Sequence, residues 1–217
     1  NAADSREKAG DLDEKGKPAY DDWYGDDHLW IVLTVASYLK ETGKMELLDE
    51  VIPFYEAGKK RADREKGTVL EHLKRSLNFT RTHLGKNKLP LLGFADWNDC
   101  MNLPLGAESS FNAGLYAKAL LEMMDICETL GDTKSVKMYK GWYEDIKKAF
   151  NDAAWDGKWW IRWFDKEGNA YGTHKAKYGK IYCNSQSWSV MSGIAYGERA
   201  VMGMDSLNKL LNTENGV

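Results

Sequence analysis

Cysteine is scarce in this sequence of 217 residues, which holds three: Cys100, Cys127 and Cys183. They are far apart and odd in number, and no CxxC pair occurs, so neither a disulfide framework nor a zinc site is indicated. A reducing, cytoplasmic setting is the default expectation. An excess of charge of one sign is missing too. The formal net charge is −3, and no stripe of Lys and Arg dominates any predicted face, which argues against a nucleic-acid surface. Clusters such as Lys59-Lys60-Arg61 and Lys147-Lys148 read as solvated helix ends. No apolar run approaches the length needed to span a bilayer, so no membrane partner is expected. The stretch from Asn1 to Lys17 is too polar for a signal or transit peptide. The chain opens without Met, which suggests a cut or incomplete sequence. His72 and His83 share a helical face but stand three turns apart, about 16 Å, so they cannot chelate one metal together.

Aromatic residues, by contrast, are abundant, with nine Trp and eleven Tyr. Part of that excess must be core, but rings in loops are also what sugar clefts use. The most informative stretch is Gly93-Phe94-Ala95-Asp96-Trp97-Asn98-Asp99-Cys100-Met101-Asn102, which follows the apolar run Leu89-Pro90-Leu91-Leu92. It holds two carboxylates three positions apart, a Trp between them, and two Asn amides. A packed core has no use for so many polar groups around one indole, because each buried polar atom must find a partner. A carbohydrate site does: the indole offers an apolar platform to the C–H face of a sugar, amides and one carboxylate hold hydroxyls, and the other carboxylate moves a proton. The plainer alternative is a solvated, Asx-rich turn.

Taken in order, residues 1–19 form a polar arm without periodicity. From Leu29 the apolar positions Trp30, Ile31, Leu33, Val35, Ala36 and Leu39 keep helical spacing, with Asp26 or Asp27 as N-cap and Gly43 as the stop. A second helix, about Met45 to Glu56, should break or kink at Pro53, and Ala57 to Gly67 reads as a loop. Thr68 caps the next helix, and Glu71 three residues on completes a capping box. A long helix begins at Ser109-Ser110 and runs through Leu130, and another covers Val136 to Phe150. Trp155 to Phe164, the turn at Asp165 to Asn169, and Ala170 to His174 then read as a short hairpin. Asn184 to Trp188 caps a helix at Ser189 to Arg199, and a last helix covers Asp205 to Leu211.

A weak rhythm of long helix, Gly and second helix recurs near residues 27–58, 110–150 and 187–212, which suggests stacked helical hairpins. A polar cluster precedes the first helix of each pair: Asp26-Asp27-His28, Asp96 to Asn102, and Asn184 to Trp188. If the hairpins close into a ring, the three clusters fall at one end of it.

These clusters carry a resemblance. Asp26-Asp27-His28-Leu29-Trp30, the stretch from Gly93 to Asn102, and Gly179-Lys180-Ile181-Tyr182-Cys183-Asn184-Ser185-Gln186-Ser187-Trp188 resemble, in matching order, the cellobiose and cellodextrin phosphorylases of glycoside hydrolase family 94. The resemblance implies an all-α fold, part of an (α/α)6 toroid of helical hairpins with a small β-hairpin insertion, over residues 20–217. It implies inverting phosphorolysis of β-linked gluco-oligosaccharides to α-glucose 1-phosphate, with inorganic phosphate as co-substrate and no cofactor or metal. On the family motif, Asp99 is the general acid. Asp96, Trp97, Asn98, Asn184 and Gln186 are carried over as substrate-binding, with Asp96 holding hydrogen bonds or the loop rather than taking part in proton transfer. Cleavage by water needs an acid and a base; phosphate is already an anion, so one proton donor suffices. Apolar surroundings such as Trp97 would help Asp99 keep its proton.

Two departures qualify the resemblance. Where Asn184 stands, cellobiose phosphorylases carry a Glu that helps hold the acceptor, so the similarity is closer to the cellodextrin type. A twelve-helix ring needs on the order of 350 residues, at roughly 30 per helix with its loop, and this chain supplies six or seven helices. The family's upstream glucosyl-holding motif and downstream phosphate-binding stretch have no counterpart here. A homodimer, or association with the rest of the catalytic domain, is therefore expected. Two alternatives stand beside phosphorolysis: an (α/α)6 hydrolase using water, with Asp26 or Asp27 as the second carboxylate, and an inactive carbohydrate-binding fragment.

Overall fold

The computed structural model describes residues 23–216 apart from 57, 102 and 104; the expected polar arm at residues 1–19 lies outside them. Among the described residues six helices run in three successive hairpins: α1 (Asp27–Thr42) with α2 (Val69–Thr82), α3 (Ser110–Thr129) with α4 (Thr133–Ala153), and α5 (Cys183–Met191) with α6 (Gly197–Leu211). Helices α1, α3 and α5 pack on one another as an inner row, and each carries its hairpin partner on the outside. This is the arrangement of an arc of an (α/α)6 toroid.

The hydrophobic pattern explains the rows. Helix α3 is buried nearly all round, from Phe111, Leu115 and Ala119 to Leu120, Met123 and Ile126, as a helix with neighbours on every side must be. Helix α2 instead buries one stripe, Val69, Leu73 and Leu77, against the core. Its N-terminus has the expected cap, with Thr68 Oγ1 accepting from the Glu71 amide at 3.1 Å. The Glu71 carboxylate does not complete a reciprocal box; it pairs with Arg75 at 2.6 Å. Gly43 ends α1 in the left-handed conformation, φ 69°, where its amide donates to Leu39 O. His72 and His83 are packing residues, stacked on Phe54 and Phe79.

Three expectations are corrected. The segment Met45–Glu56 is not a kinked helix: it is a 3-10 turn at Met45–Asp49 followed by strand β1 (Val51–Pro53), paired antiparallel with β2 (Lys66–Thr68). Pro53 cannot donate within a helix, and β-branched Val51 and Ile52 suit a strand at whose end a proline is tolerated. The hairpin of β4 (Trp163–Phe164) and β5 (Ala170–Tyr171) forms as expected, but β3 (Glu108–Ser109) joins β4 as a third strand. The last two helices begin earlier than expected, because Asn184 to Trp188 lies inside α5 and the break falls at Gly193, φ 72°. No helix among the described residues is long and apolar enough to cross a membrane.

Candidate active site

Residues Leu92 and Ala107 close the base of a loop, the Leu92 amide donating to Ala107 O at 2.8 Å. The loop runs alongside the chain entering α1. Gly25 donates to Ala95 O and Phe94 donates to Trp23 O, both at 2.8 Å, and Tyr24 bridges Gly93. Two glycines permit this approach. A side chain at Gly25 would collide with Asn112 and the Leu92 carbonyl, and one at Gly93 (φ 68°) would collide with Trp23. Two sequence clusters some seventy residues apart thereby become the two walls of one cleft of about 490 Å³, lined by Tyr24, Asp26, Asp27, Trp30, Asp96, Trp97 and Asp99.

The four carboxylates have different surroundings. Asp96 is sealed inside the fold. Its Oδ1 accepts from Arg162 Nη2 at 2.5 Å and from the Asn98 amide at 3.1 Å. Its Oδ2 accepts from Arg162 Nη1 at 2.7 Å and from Ser109 Oγ at 2.6 Å. Ser109 in turn caps α3, accepting from the Asn112 amide at 3.1 Å. Asp99, three positions on, is exposed. Asp26, at the N-cap of α1, is buried, and its Oδ2 accepts from Trp30 Nε1 at 2.8 Å. Burial pushes the Asp26 carboxyl up to about 6, against the pull of the Trp30 N–H, and the negative charges of Asp96 and Asp27 add to the rise. Asp27 is raised as well, chiefly by burial and further by the charge of Asp99.

Trp97 is 68% exposed, a ring offered at the mouth of the cleft. Behind it stands Trp30, 5.8 Å away between centroids, which packs edge-on to Trp188 of α5 at 5.3 Å. The third sequence cluster thus reaches the site through Trp188. Asp99 itself is exposed rather than enclosed, in a cleft that Trp97 and Trp30 also line. Asn98 is half-buried, and its Oδ1 accepts from the Cys100 amide at 3.3 Å. The loop thus makes the side-chain-to-backbone bonds of an Asx-rich turn and also forms one wall of the cleft.

Other expected residues are not brought to the cleft. Gln186 is fully buried, and its amide is engaged by the backbone of Trp160: Oε1 accepts from Trp160 N at 3.0 Å and Nε2 donates to Trp160 O at 2.7 Å. It fastens α5 to the start of the hairpin. Asn184 is half-buried in the first turn of α5 and is not part of the cleft wall. His28, beside the two aspartates in sequence, turns inward to Thr80 Oγ1 at 2.6 Å, and burial pushes it down to about 4.

Sequence reasoning missed Arg162, Tyr24 and Trp30. A signal for Arg162 existed: it is the one cation inside the apolar run Trp159 to Phe164, where a charge without a partner would be costly. A larger groove, about 850 Å³, lies between α2 and α4, and four of its five charged lining residues pair with one another, Arg81 with Asp145 and Lys148 with Asp152.

The sequence matches the family described as "Glycosyl hydrolase 94 superfamily, catalytic domain" over residues 4–217. It is 33% identical over 198 residues to an N,N'-diacetylchitobiose phosphorylase of Vibrio proteolyticus, covering 90% of this chain and 24% of that protein. It is 34% identical over 197 residues to a solabiose phosphorylase of Paenibacillus borealis, covering 89% of this chain and 25% of that protein. The chain thus spans about a quarter of the length of these relatives. Among solved structures, a family GH78 rhamnosidase of Bacillus sp. GL1 superposes with a TM-score of 0.63 at 16% identity, covering 84% of this chain and 17% of that one.

Proposed function

The chain belongs to the glycosyl hydrolase 94 superfamily, and from that premise we propose that it forms part of the active site of an inverting phosphorylase acting on β-linked gluco-oligosaccharides. The observation that carries this reading is the separation of Asp96 from Asp99. Arg162 and Ser109 occupy both oxygens of Asp96, whereas Asp99 stands exposed on the cleft wall beside an outward-facing Trp97. A carboxyl exposed to the cleft on this loop suits a reaction that needs one proton donor. In the proposed step the Asp99 carboxyl gives its proton to the glycosidic oxygen as the bond to the anomeric carbon breaks. A phosphate oxygen attacks that carbon from the opposite face, giving α-glucose 1-phosphate, a shortened sugar and the Asp99 carboxylate. Trp97 supplies a stacking face for the sugar, and Asn98 lies on the same turn.

The acceptor side is proposed to take cellobiose or a longer cello-oligomer, on the ground that Asn184 carries no charge where the cellobiose-type sequence has Glu. The setting is proposed to be cytoplasmic, in keeping with three free cysteines of which Cys100 and Cys183 are exposed.

A second reading, hydrolysis by water, draws on the presence of Asp26 and Asp27 in the same cleft as Asp99, since an inverting hydrolase needs a second carboxylate. Phosphate dependence separates the two. In the intact protein, cleavage of a cello-oligomer should require phosphate and should release glucose 1-phosphate. Asp99→Asn should lower that rate about 10²–10⁴-fold while sparing much of the rate on a substrate whose leaving group needs no proton. Turnover without phosphate would favour the hydrolase, and an unchanged rate in Asp99→Asn would remove Asp99 from the role.

A further inference from the structure

We propose that Arg162 is a positioning residue of this reaction: acting through Asp96, it fixes the loop that presents Trp97 and Asp99 to the sugar. The proposal rests on the reading of Asp99 as proton donor and adds to it the element that holds the donor in place.

The loop between Leu92 and Ala107 has little regular structure of its own. No helix or strand is assigned from residue 93 to 107 among the described residues. Its base is closed by backbone bonds, but Trp97 and Asp99 project beyond them toward solvent. Between base and tip stands Asp96, with its side chain fully enclosed. It is held from outside the loop, because Arg162 arrives on the first residue before β4, in the hairpin insertion, and donates to both carboxylate oxygens, at 2.5 and 2.7 Å. The guanidinium is fixed in its turn. It lies 3.9 Å from the Trp163 ring centroid and 5.3 Å from that of Phe111, and Nη1 also donates to Ser109 Oγ at 2.9 Å. Asp96 then passes the constraint on, since Oδ1 accepts the Asn98 amide, one residue short of Asp99.

Stability alone does not account for this pair. Buried ion pairs are often no better than an apolar replacement, because both charges must leave water. Here the desolvation is incompletely offset, as Arg162 Nε finds no hydrogen-bond partner among the described residues. What the pair supplies is a fixed direction. A planar fork matched to a carboxylate admits one orientation, which an ammonium cannot impose. A misplacement of about 1 Å in a reacting group can lower a rate about 10²-fold.

The test uses the intact protein with Arg162→Lys, which keeps the charge and loses the fork. A second form, Arg162→Met with Asp96→Asn, removes both charges together, so that neither is left buried alone. The first readout is independent of activity. In a background in which Cys183 and any cysteine outside these 217 residues are replaced by Ser, a nitroxide is attached at exposed Cys100, next to Asp99; Cys127, also within these residues, is buried. The label should be clearly more mobile in both variants while the melting transition stays cooperative. The second readout is the dependence on the leaving group. Arg162→Lys should lose about 10²-fold on a cello-oligomer and markedly less on a dinitrophenyl glucoside, whose leaving group needs no proton. A purely structural role would slow both substrates alike and leave the label spectrum as it was. Either result, with Asp99→Asn showing its expected leaving-group dependence, overturns this proposal alone. If Asp99→Asn shows no such dependence, the proton-donor reading falls and this proposal falls with it.

Discussion

Asp26 is the cleft residue whose environment works most plainly against its charge. An unfolded chain releases this proton near 3.8, whereas the folded protein holds it up to about 6. Between those values the folded state binds more protons than the unfolded one, so stability falls as pH rises from about 4 to about 6. Each pKa unit corresponds to about 1.4 kcal/mol, which sets a ceiling of ~3 kcal/mol on the effect. Asn has nearly the same shape and keeps an oxygen for the Trp30 indole N–H. Asp26→Asn should therefore be more stable than the parent at pH 7 and should differ little from it at pH 4. His28 acts in the opposite sense: held down to about 4, it must take up a proton on unfolding and lowers stability as pH falls below 6.5. The difference between the two melting curves across pH, rather than either curve alone, isolates Asp26. A constant difference from pH 4 to pH 7 would mean that its carboxyl is not held protonated by the fold.

Helices were legible in the sequence where one face is apolar over several turns and a cap marks the start. Thr68 and Ser109 both accept the amide three residues on, and Gly43 ends α1 as a left-handed stop. The short strands were less legible. Trp163–Phe164 and Ala170–Tyr171 are defined by an intervening turn with its own signature, but Glu108–Ser109 pairs with residues more than fifty positions away, and no local pattern marks it. Helix α5 was placed too late because Asn184, Ser185 and Ser187 are residues that prefer caps and turns. Tertiary contacts override that preference, since Ser185, Gln186 and Ser189 face inward. Within the site the aspartates and Trp97 could be named from spacing, whereas Arg162 depends on a contact across the fold. The seating of α5 on α3 gives a prediction at this scale. Gly114 lets the two backbones meet, and a Cβ there would stand 2.9 Å from the Trp188 carbonyl carbon and 3.0 Å from the Ser189 amide nitrogen. Alanine favours a helix over glycine by about 1 kcal/mol, but overpacking against rigid backbone costs about 1–3 kcal/mol. Gly114→Ala should thus be neutral to destabilising in urea melts, and because Trp188 supports Trp30 it should also weaken sugar binding. A gain in stability would show that α5 yields freely.

At the scale of the whole molecule, the inner row of α1, α3 and α5 has two ends, and they differ from its middle. Helix α3 has neighbours all round. Helix α1 leaves Ile31 and Tyr38, two turns apart on one face, 47% and 41% exposed. At the other end Met191, Val201, Met202 and Leu210 of α5 and α6 are 54%, 60%, 45% and 47% exposed. In a closed toroid such edges would meet further hairpins; in this chain they face solvent. Apolar surface gathered on two opposite edges drives association, each buried side chain of this size being worth about 1.5–3 kcal/mol. The chain of 217 residues prepared by itself should therefore associate in a concentration-dependent way, which light scattering at several concentrations would report as a rising mass. Charge placed on the edges separates this cause from a general stickiness. Ile31→Glu together with Val201→Glu, both at exposed positions, should restore the monomer without lowering the melting temperature. The same pair of changes on the outer face of α4, where Met138 is exposed and the neighbouring side chains are charged, should not. A parent chain that stays monomeric at high concentration would show that these edges are tolerated by solvent and that the arc is self-sufficient.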